Sequence, residues 1–368
     1  MSAVVYCCGD VGPLVAPEVS LGSNVTDFLA AADIRFAQCE RVYSNRGALH
    51  PTSHAKHSRC DPLLASIFND CGFDVVSLAG NHVMDYGWDA LEDTIALFEK
   101  MGIKTIGAGR NVQEARKPAI FNVKGQRIAF LGYGSILREG FEATDEQPGA
   151  APLRVKTWYE AFDYQAGVPP LTRTEVLQQD LEAMTDDIHD AKEVADVVIV
   201  SMHWGVHYVP KLIAEYQPQA AKVAFAAGAD AVIGHHAHTP KAIELFDEKP
   251  CFYSLSNFIM SGVPKTGDKA RAFETNYGVT LDPDYPDLPY GSDAKRSLIA
   301  KLSFEPSQCP RASFFPVEIA PDLRPSVLQE NSTKFKDALQ FMNWVSEGRS
   351  GSLHPEGGEI IVRLDNED

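Results

Sequence analysis

Short apolar runs alternate along the chain with segments whose apolar residues recur at helical spacing, a pattern that predicts strands and helices in alternation. Residues 4–8, 34–39, 74–79, 104–108, 196–202 and 231–233 read as buried strands. Residues 24–32, 62–71, 175–195, 211–227 and 327–347 read as helices, as does a stretch carrying Trp88, Leu91, Ile95 and Phe98. Lys124-Gly125-Gln126 punctuates a hairpin of 119–121 with 128–134. A second hairpin joins 242–246 to 251–255 and leads to a turn at Ser256-Asn257-Phe258. An antiparallel pair, 297–304 with 312–319, and a last strand at 359–364 follow. Residues 135–173 and 261–295 lack clean periodicity and read as long loops, a class often used as lids. No repeat or linker is visible. The pattern predicts one α/β domain over 1–368, with elaborations at 135–173 and 261–295 and a C-terminal helix and strand at 326–364.

The turns after the predicted strands carry an unusual share of chemistry. Asp10 follows the first strand, Glu40 the second, Asn81 and His82 the third, His203 the 196–202 strand, and His235-His236-Ala237-His238 the 231–233 strand. Strand ends gather several loops around one crevice, where open α/β sheets place their ligands. Carboxylates, neutral imidazoles and one amide oxygen suit Zn²⁺, Mn²⁺ or Fe²⁺, whereas an all-oxygen set would point to Mg²⁺ or Ca²⁺. Taken singly, each residue has a plainer reading as a turn Asp, a capping Asn or a satisfied core His. The signal lies in the set. By contrast His50, His54 and His57, in the polar stretch 41–60, have no ligand spacing and read as loop histidines.

Composition narrows the partners. A net charge of −17 without any basic stripe excludes nucleic acid and anionic membrane as expected partners. The N-terminal residues 1–6 have no basic region and enter a strand directly, so neither a signal peptide nor a membrane span is expected. Seven cysteines, an odd number set mostly in apolar runs, suit buried thiols in a reducing compartment. The expected location is therefore cytoplasmic. Nothing argues for or against a dimer.

In order and spacing, several segments resemble the poly-γ-glutamate capsule-synthesis family, a branch of the calcineurin-like metallophosphoesterase superfamily. They are Gly9-Asp10, Gln38-Cys39-Glu40, 74–87 with Gly80-Asn81-His82 and Asp85-Tyr86-Gly87, 200–205 with His203-Trp204-Gly205, 228–238, and Tyr253-Ser254-Leu255-Ser256-Asn257-Phe258. The resemblance implies an α/β fold, specifically a four-layer α-β-β-α sandwich of the metallophosphoesterase type, holding one or two divalent ions at the strand ends. It implies Asp10, Glu40, Asn81, His203, His236 and His238 as ligands, with Glu40 bridging; a register shifted by one exchanges His235 for His236. It implies His82 as proton donor or base, oriented by Asp85. Superfamily phosphoesterases open with Asp-x-His, and here Gly12 takes the His position, which removes one nitrogen ligand. Family members acting in capsule export are usually membrane-anchored; with no anchor visible, a capsule role is not expected from this sequence.

Three functions follow as expectations. The first is a metal-dependent hydrolase acting through a metal-activated water on a phosphoester or an amide-like bond in a small-molecule or peptide-like anionic substrate. Arg46, His207, Tyr208, His235, Lys265 and Arg271 are its candidate substrate-binding residues. The second is an isomerase or epimerase moving a proton at carbon in the same site. The third is a non-catalytic protein of polyglutamate assembly.

Overall fold

A computed structural model describes residues 2–15, 18–163, 165, 167–306 and 308–364; Met1 and 365–368 of the expected domain lie outside them. Two mixed β-sheets form the centre. The first runs in the order Ser352–Glu356, Glu359–Arg363, Arg311–Ile319, Arg296–Phe304, Ala3–Gly12, Ile34–Cys39, Val75–Ser77, Lys104–Ile106, with Asn257–Met260 added beside Ala3–Gly12. The second runs Ile243–Phe246, Lys249–Phe252, Ala231–His235, Val197–His203, Gln126–Gly134, Ala119–Val123.

Both faces of the central strands are buried, which explains why these strands read as continuous apolar runs. Successive side chains point to opposite faces. Ala3, Val5 and Cys7 enter the core between the sheets, while Tyr6 and Cys8 face the helices outside. In the second sheet Ile128, Phe130, Val197 and Ile199 point inward, and Ala129, Leu131, Val198 and Val200 outward. Phe36 and Phe130 stack across the sheet–sheet gap with ring centroids 5.9 Å apart. Helix Gly87–Lys100 covers the first sheet with Leu91 and Phe98, and helices Gln178–Val194 and Tyr216–Ala226 cover the second with Leu181, Met184, Ile188 and Phe225. Helix Thr333–Ser346 closes the end of the inter-sheet core through Phe335, Met342 and Val345. The layer order is α-β-β-α.

Local chemistry sets the joints. Lys124 and Gly125 both have positive φ, +50° and +80°, which suits the two-residue hairpin between Ala119–Val123 and Gln126–Gly134. The helix expected at 24–32 shrinks to the single turn Thr26–Leu29, whose N-cap is Val25 with no side-chain cap, while the Asn24 amide donates to Ser326 Oγ 3.0 Å away. The expected turn at 256–258 is instead the start of strand Asn257–Met260, with Asn257 opposite Asp10. Neither long loop is wholly irregular. The first contains the antiparallel ribbon Val155–Glu160 with Leu171–Val176, and the second contains helix Gly267–Tyr277. All seven cysteines are free, and six are buried. Among the described residues no helix is long and apolar enough to cross a membrane.

Candidate metal centre

Strands Ala3–Gly12, Ile34–Cys39 and Val75–Ser77 are mutually parallel, as are Gln126–Gly134, Val197–His203 and Ala231–His235. Their carboxyl ends therefore deliver side chains to one edge of the sandwich. Glu40 is the focus. His203 Nε2 lies 3.7 Å from its Oε2, while His238 Nε2 and His82 Nε2 lie 3.8 and 3.9 Å from its Oε1. Asp10 stands beside it, with His235 Nδ1 and His238 Nδ1 at 3.4 and 3.5 Å from its two oxygens. Asn81 Oδ1 is 2.9 Å from His203 Nε2. Asp10, Glu40 and His203 have donor atoms all within 4.8 Å of one another.

Neither carboxylate is satisfied by the protein. Both oxygens of Asp10 and both of Glu40 are buried without a hydrogen-bond partner, as are Nδ1 of His203, Nδ1 of His236 and both ring nitrogens of His235. Buried polar groups normally find partners, so this concentration of unmet acceptors marks a site built around something cationic. Burial pushes the Asp10 carboxyl well above its ordinary range, against a weaker opposing pull from the His236 main-chain N–H, which lies nearby without making a well-formed hydrogen bond. Burial, and after it the Asp10 charge, raises Glu40 to about 8 against the pull of His82 and Arg41. Burial also lowers His235 and His238 to about 3 and holds His203 and His236 well down, which keeps these imidazoles neutral and their lone pairs available. The donor set fits a divalent ion of the Mn²⁺, Zn²⁺ or Fe²⁺ kind.

The turn after Ala231–His235 is strained to achieve this. His236 and His238 have φ of +89° and +55°, a left-handed conformation that costs about 1–3 kcal/mol in a residue with a side chain and clusters at functional sites. Gly234 ahead of them is obligatory, since a Cβ there would stand 2.1 Å from the Tyr253 carbonyl. His238 is aimed by Asn257, whose Oδ1 is 2.7 Å from His238 Nδ1 and whose amide donates to the His238 and Ala294 carbonyls. That contact leaves Nε2 facing Glu40.

At the rim His82 Nδ1 meets Asp85 Oδ2 at 2.5 Å. Burial alone would raise Asp85, but hydrogen bonds from His82, Ser53 and Ser58 outweigh it and hold the carboxyl below its ordinary value. Asp85 is thus a fixed anion that orients the ring. His57, expected as a loop residue, is half-buried beside His82 with ring centroids 6.0 Å apart, and burial lowers it to about 4.

His207 lies tilted against His236 at 3.6 Å between centroids and stacks on Tyr208 at 4.5 Å, and Tyr290 stacks on His238 at 4.2 Å. Lys265 donates to the Pro289 carbonyl and lies over the Tyr290 and Phe273 rings, beside this aromatic wall. Two candidate cations are engaged elsewhere. Arg46 is held by Asp93, Glu92 and Asp89 of helix Gly87–Lys100. Arg271 is exposed and paired with Asp268. Their described contacts do not reach the carboxylates.

Sequence reasoning missed Arg41, His57, Asn257 and Tyr290. Asn257 lay within a motif already quoted, and Arg41 adjoins Glu40, but neither carries a local sign of its role.

A model of the family described as bacterial capsule synthesis protein PGA_cap matches residues 18–261, which include Glu40, Asn81, His82, His203, His235, His236, His238 and Asn257 but not Asp10, Lys265, Phe273 or Tyr290. The chain belongs to the PGA_cap family. This PGA_cap chain is 32% identical over 218 residues to the PGA biosynthesis protein CapA of Bacillus subtilis, covering 58% of this chain and 50% of that one. It is 30% identical over 194 residues to a Mycobacterium tuberculosis protein named as a probable polyglutamine synthesis accessory protein, covering 50% and 44%. The chain thus spans about half the length of the curated relatives it matches. Among solved structures it is similar to the calcineurin-like phosphoesterase YfkN from Bacillus subtilis, with 14% identity, a TM-score of 0.44, and coverage of 94% of this chain and 99% of that one.

Proposed function

We propose that this PGA_cap chain is a metal-dependent hydrolase acting on a phosphoester or an amide-like bond of a carboxylate-rich substrate. The observation that carries the reading is the pair of buried carboxylates, Asp10 and Glu40, whose oxygens have no protein partner and are ringed by neutral imidazoles. Asp10, Glu40, Asn81, His203 and His238 would hold the ion, with His236 and His235 next in reach. A divalent ion held there supplies a water of lowered pKa and a positive charge for the developing oxyanion.

The chain's own residues supply the remainder. His82, fixed by Asp85, presents Nε2 to the centre and is placed to pass a proton to the leaving group. Lys265 supplies a cation at the mouth, and Tyr208, Tyr290 and His207 form a flat wall against which a substrate chain can lie.

The names of the relatives favour a second reading, an accessory protein that binds polyglutamate during its assembly. Turnover separates the two. The chain loaded with Mn²⁺, Zn²⁺ or Fe²⁺ is assayed on phosphoesters and γ-glutamyl peptides, alongside His82→Gln. The hydrolase reading expects product carrying solvent oxygen, and at least a hundredfold less of it in the variant. Polyglutamate binding with no turnover on any substrate would replace it with the accessory reading.

A further inference from the structure

The residue that sits oddly in this centre is Arg41. It is about 2% exposed, yet no carboxylate comes within ion-pair range of it among the described residues. Its nitrogens go instead to three main-chain carbonyls: Nε to Gly12 at 2.7 Å, Nη1 to His57 at 2.8 Å and Nη2 to Ser261 at 2.5 Å. Those acceptors satisfy its hydrogen bonds without cancelling its charge. A buried, uncancelled guanidinium is expensive to keep, and it adjoins a carboxylate that the protein also leaves unpartnered.

Space points the same way. A Cβ on Gly12 would lie 3.0 Å from Arg41 Nε, 3.1 Å from Arg41 Cγ and 3.1 Å from Met260 Sδ. A ligand side chain two residues after Asp10 would therefore have to push Arg41 and Met260 aside, because they hold that volume.

Charge counting completes the case. Asp10 and Glu40 ionised, with Arg41, leave one net negative charge among these three buried side chains; Asp85 has Arg138 Nε 4.0 Å away, and Lys265 over the Tyr290 ring and buried Lys241 add only further positive charge nearby. One divalent ion leaves a modest positive excess. A second would place a third positive centre in a pocket with little solvent to screen it, where like charges repel far more strongly than in water.

Resting on the reading of the strand-end cluster as a divalent-ion site, we propose that the centre takes one ion, and that Arg41 is the fixed positive charge beside Glu40 in place of a second.

The test uses the chelator-stripped full chain titrated with Mn²⁺ by calorimetry, with bound metal counted by elemental analysis and its electron paramagnetic resonance recorded. Wild type is expected to take one equivalent with the signal of an isolated ion. Arg41→Gln removes the charge while keeping a donor. It is expected to bind Mn²⁺ at least tenfold tighter or to take up a second equivalent, whereas Arg41→Lys keeps the wild-type stoichiometry. A purely structural clamp predicts the opposite for Arg41→Gln, namely binding unchanged or weaker with native circular dichroism, and that result overturns the electrostatic role. Two equivalents in wild type with an exchange-coupled signal overturn the one-ion centre while sparing the metal site. No binding at all overturns both. Should Arg41→Gln not fold, the wild-type count still decides the stoichiometry, and a folded Arg41→Lys that takes two equivalents overturns the role of Arg41.

Discussion

Glu40 and Asp180 are equally hidden, each about 2% exposed, yet the protein treats them in opposite ways. Asp180 opens helix Gln178–Val194 and receives Arg154 on both oxygens, Nη2 at 2.7 Å and Nε at 2.9 Å, with the Arg154 main-chain N–H at 2.7 Å as well. It is a fully paired carboxylate that ties the chain after residue 150 to the helix. Glu40 has no hydrogen bond on either oxygen and faces three imidazole nitrogens at 3.7–3.9 Å. Burial alone therefore does not distinguish a structural acid from a candidate metal ligand. What distinguishes them is whether the fold has already supplied the opposite charge.

The sharpest way to break this comparison is to neutralise both acids. Glu40→Gln should cut Mn²⁺ affinity by roughly a hundredfold or more, above the 10–100-fold that outer partners of metal ligands carry, and abolish turnover. It should leave the melting temperature of the chelated chain at neutral pH unchanged or raised, because the cost of burying this acid, met by taking up a proton on folding, has been removed. Metal analysis and thermal melts check both halves. A large drop in stability without loss of metal would put Glu40 in the structural class. His82→Gln comes next: turnover should fall about 10²–10⁴-fold while metal content stays at the wild-type level. A loss of metal instead would make His82 a ligand and not a proton carrier.

The pH response follows from Glu40, whose carboxyl stands at about 8 in the folded chain. Below that pH an incoming ion must displace a proton, so Mn²⁺ affinity should drop by about tenfold per unit as the pH falls from about 8. For the chelated chain the sign is reversed. The folded state binds the proton more tightly than the unfolded one, so this group's contribution to stability is full below about 4.5 and is lost as the pH rises through about 8. Calorimetric titrations and melts across this range measure each slope; a flat metal affinity would mean that Glu40 is ionised throughout.

Asp180→Asn should lower stability by about 1–3 kcal/mol, moderated by the partial exposure of Arg154, with metal content untouched. Denaturant unfolding gives the number. The smallest effects belong to Arg46→Ala and Arg271→Ala. Their ion pairs are exposed and screened by solvent, so neither stability nor KM for an anionic substrate should move measurably. A rise in KM for either variant would bring that cation back to the site.

The amino-acid sequence by itself determined the layers. Mostly apolar runs such as 34–39 and 197–203 belong inside a sheet covered on both faces, the α-β-β-α order itself being what the family resemblance implied, and Lys124-Gly125 closes its hairpin through local backbone preference alone. It also named the ligand candidates, because they stand directly after those runs. Elements whose stability comes from a partner distant in sequence escaped it. The Val155–Glu160 ribbon is mostly exposed and shows no apolar periodicity; among the described residues its strand pairing is with Leu171–Val176 alone. Helix Gly267–Tyr277 buries little beyond Phe273.

Tertiary structure alone decided which of several similar side chains matter. His57 and His54 sit three residues apart in one polar stretch, yet only His57 is half-buried beside His82. Arg41 and Arg46 are five residues apart, one sealed against carbonyls of three separate segments and the other spent on a surface helix. Nothing local separates such pairs. An electrostatic role depends on distance and on exclusion of water, and both exist only once remote segments have closed around the residue.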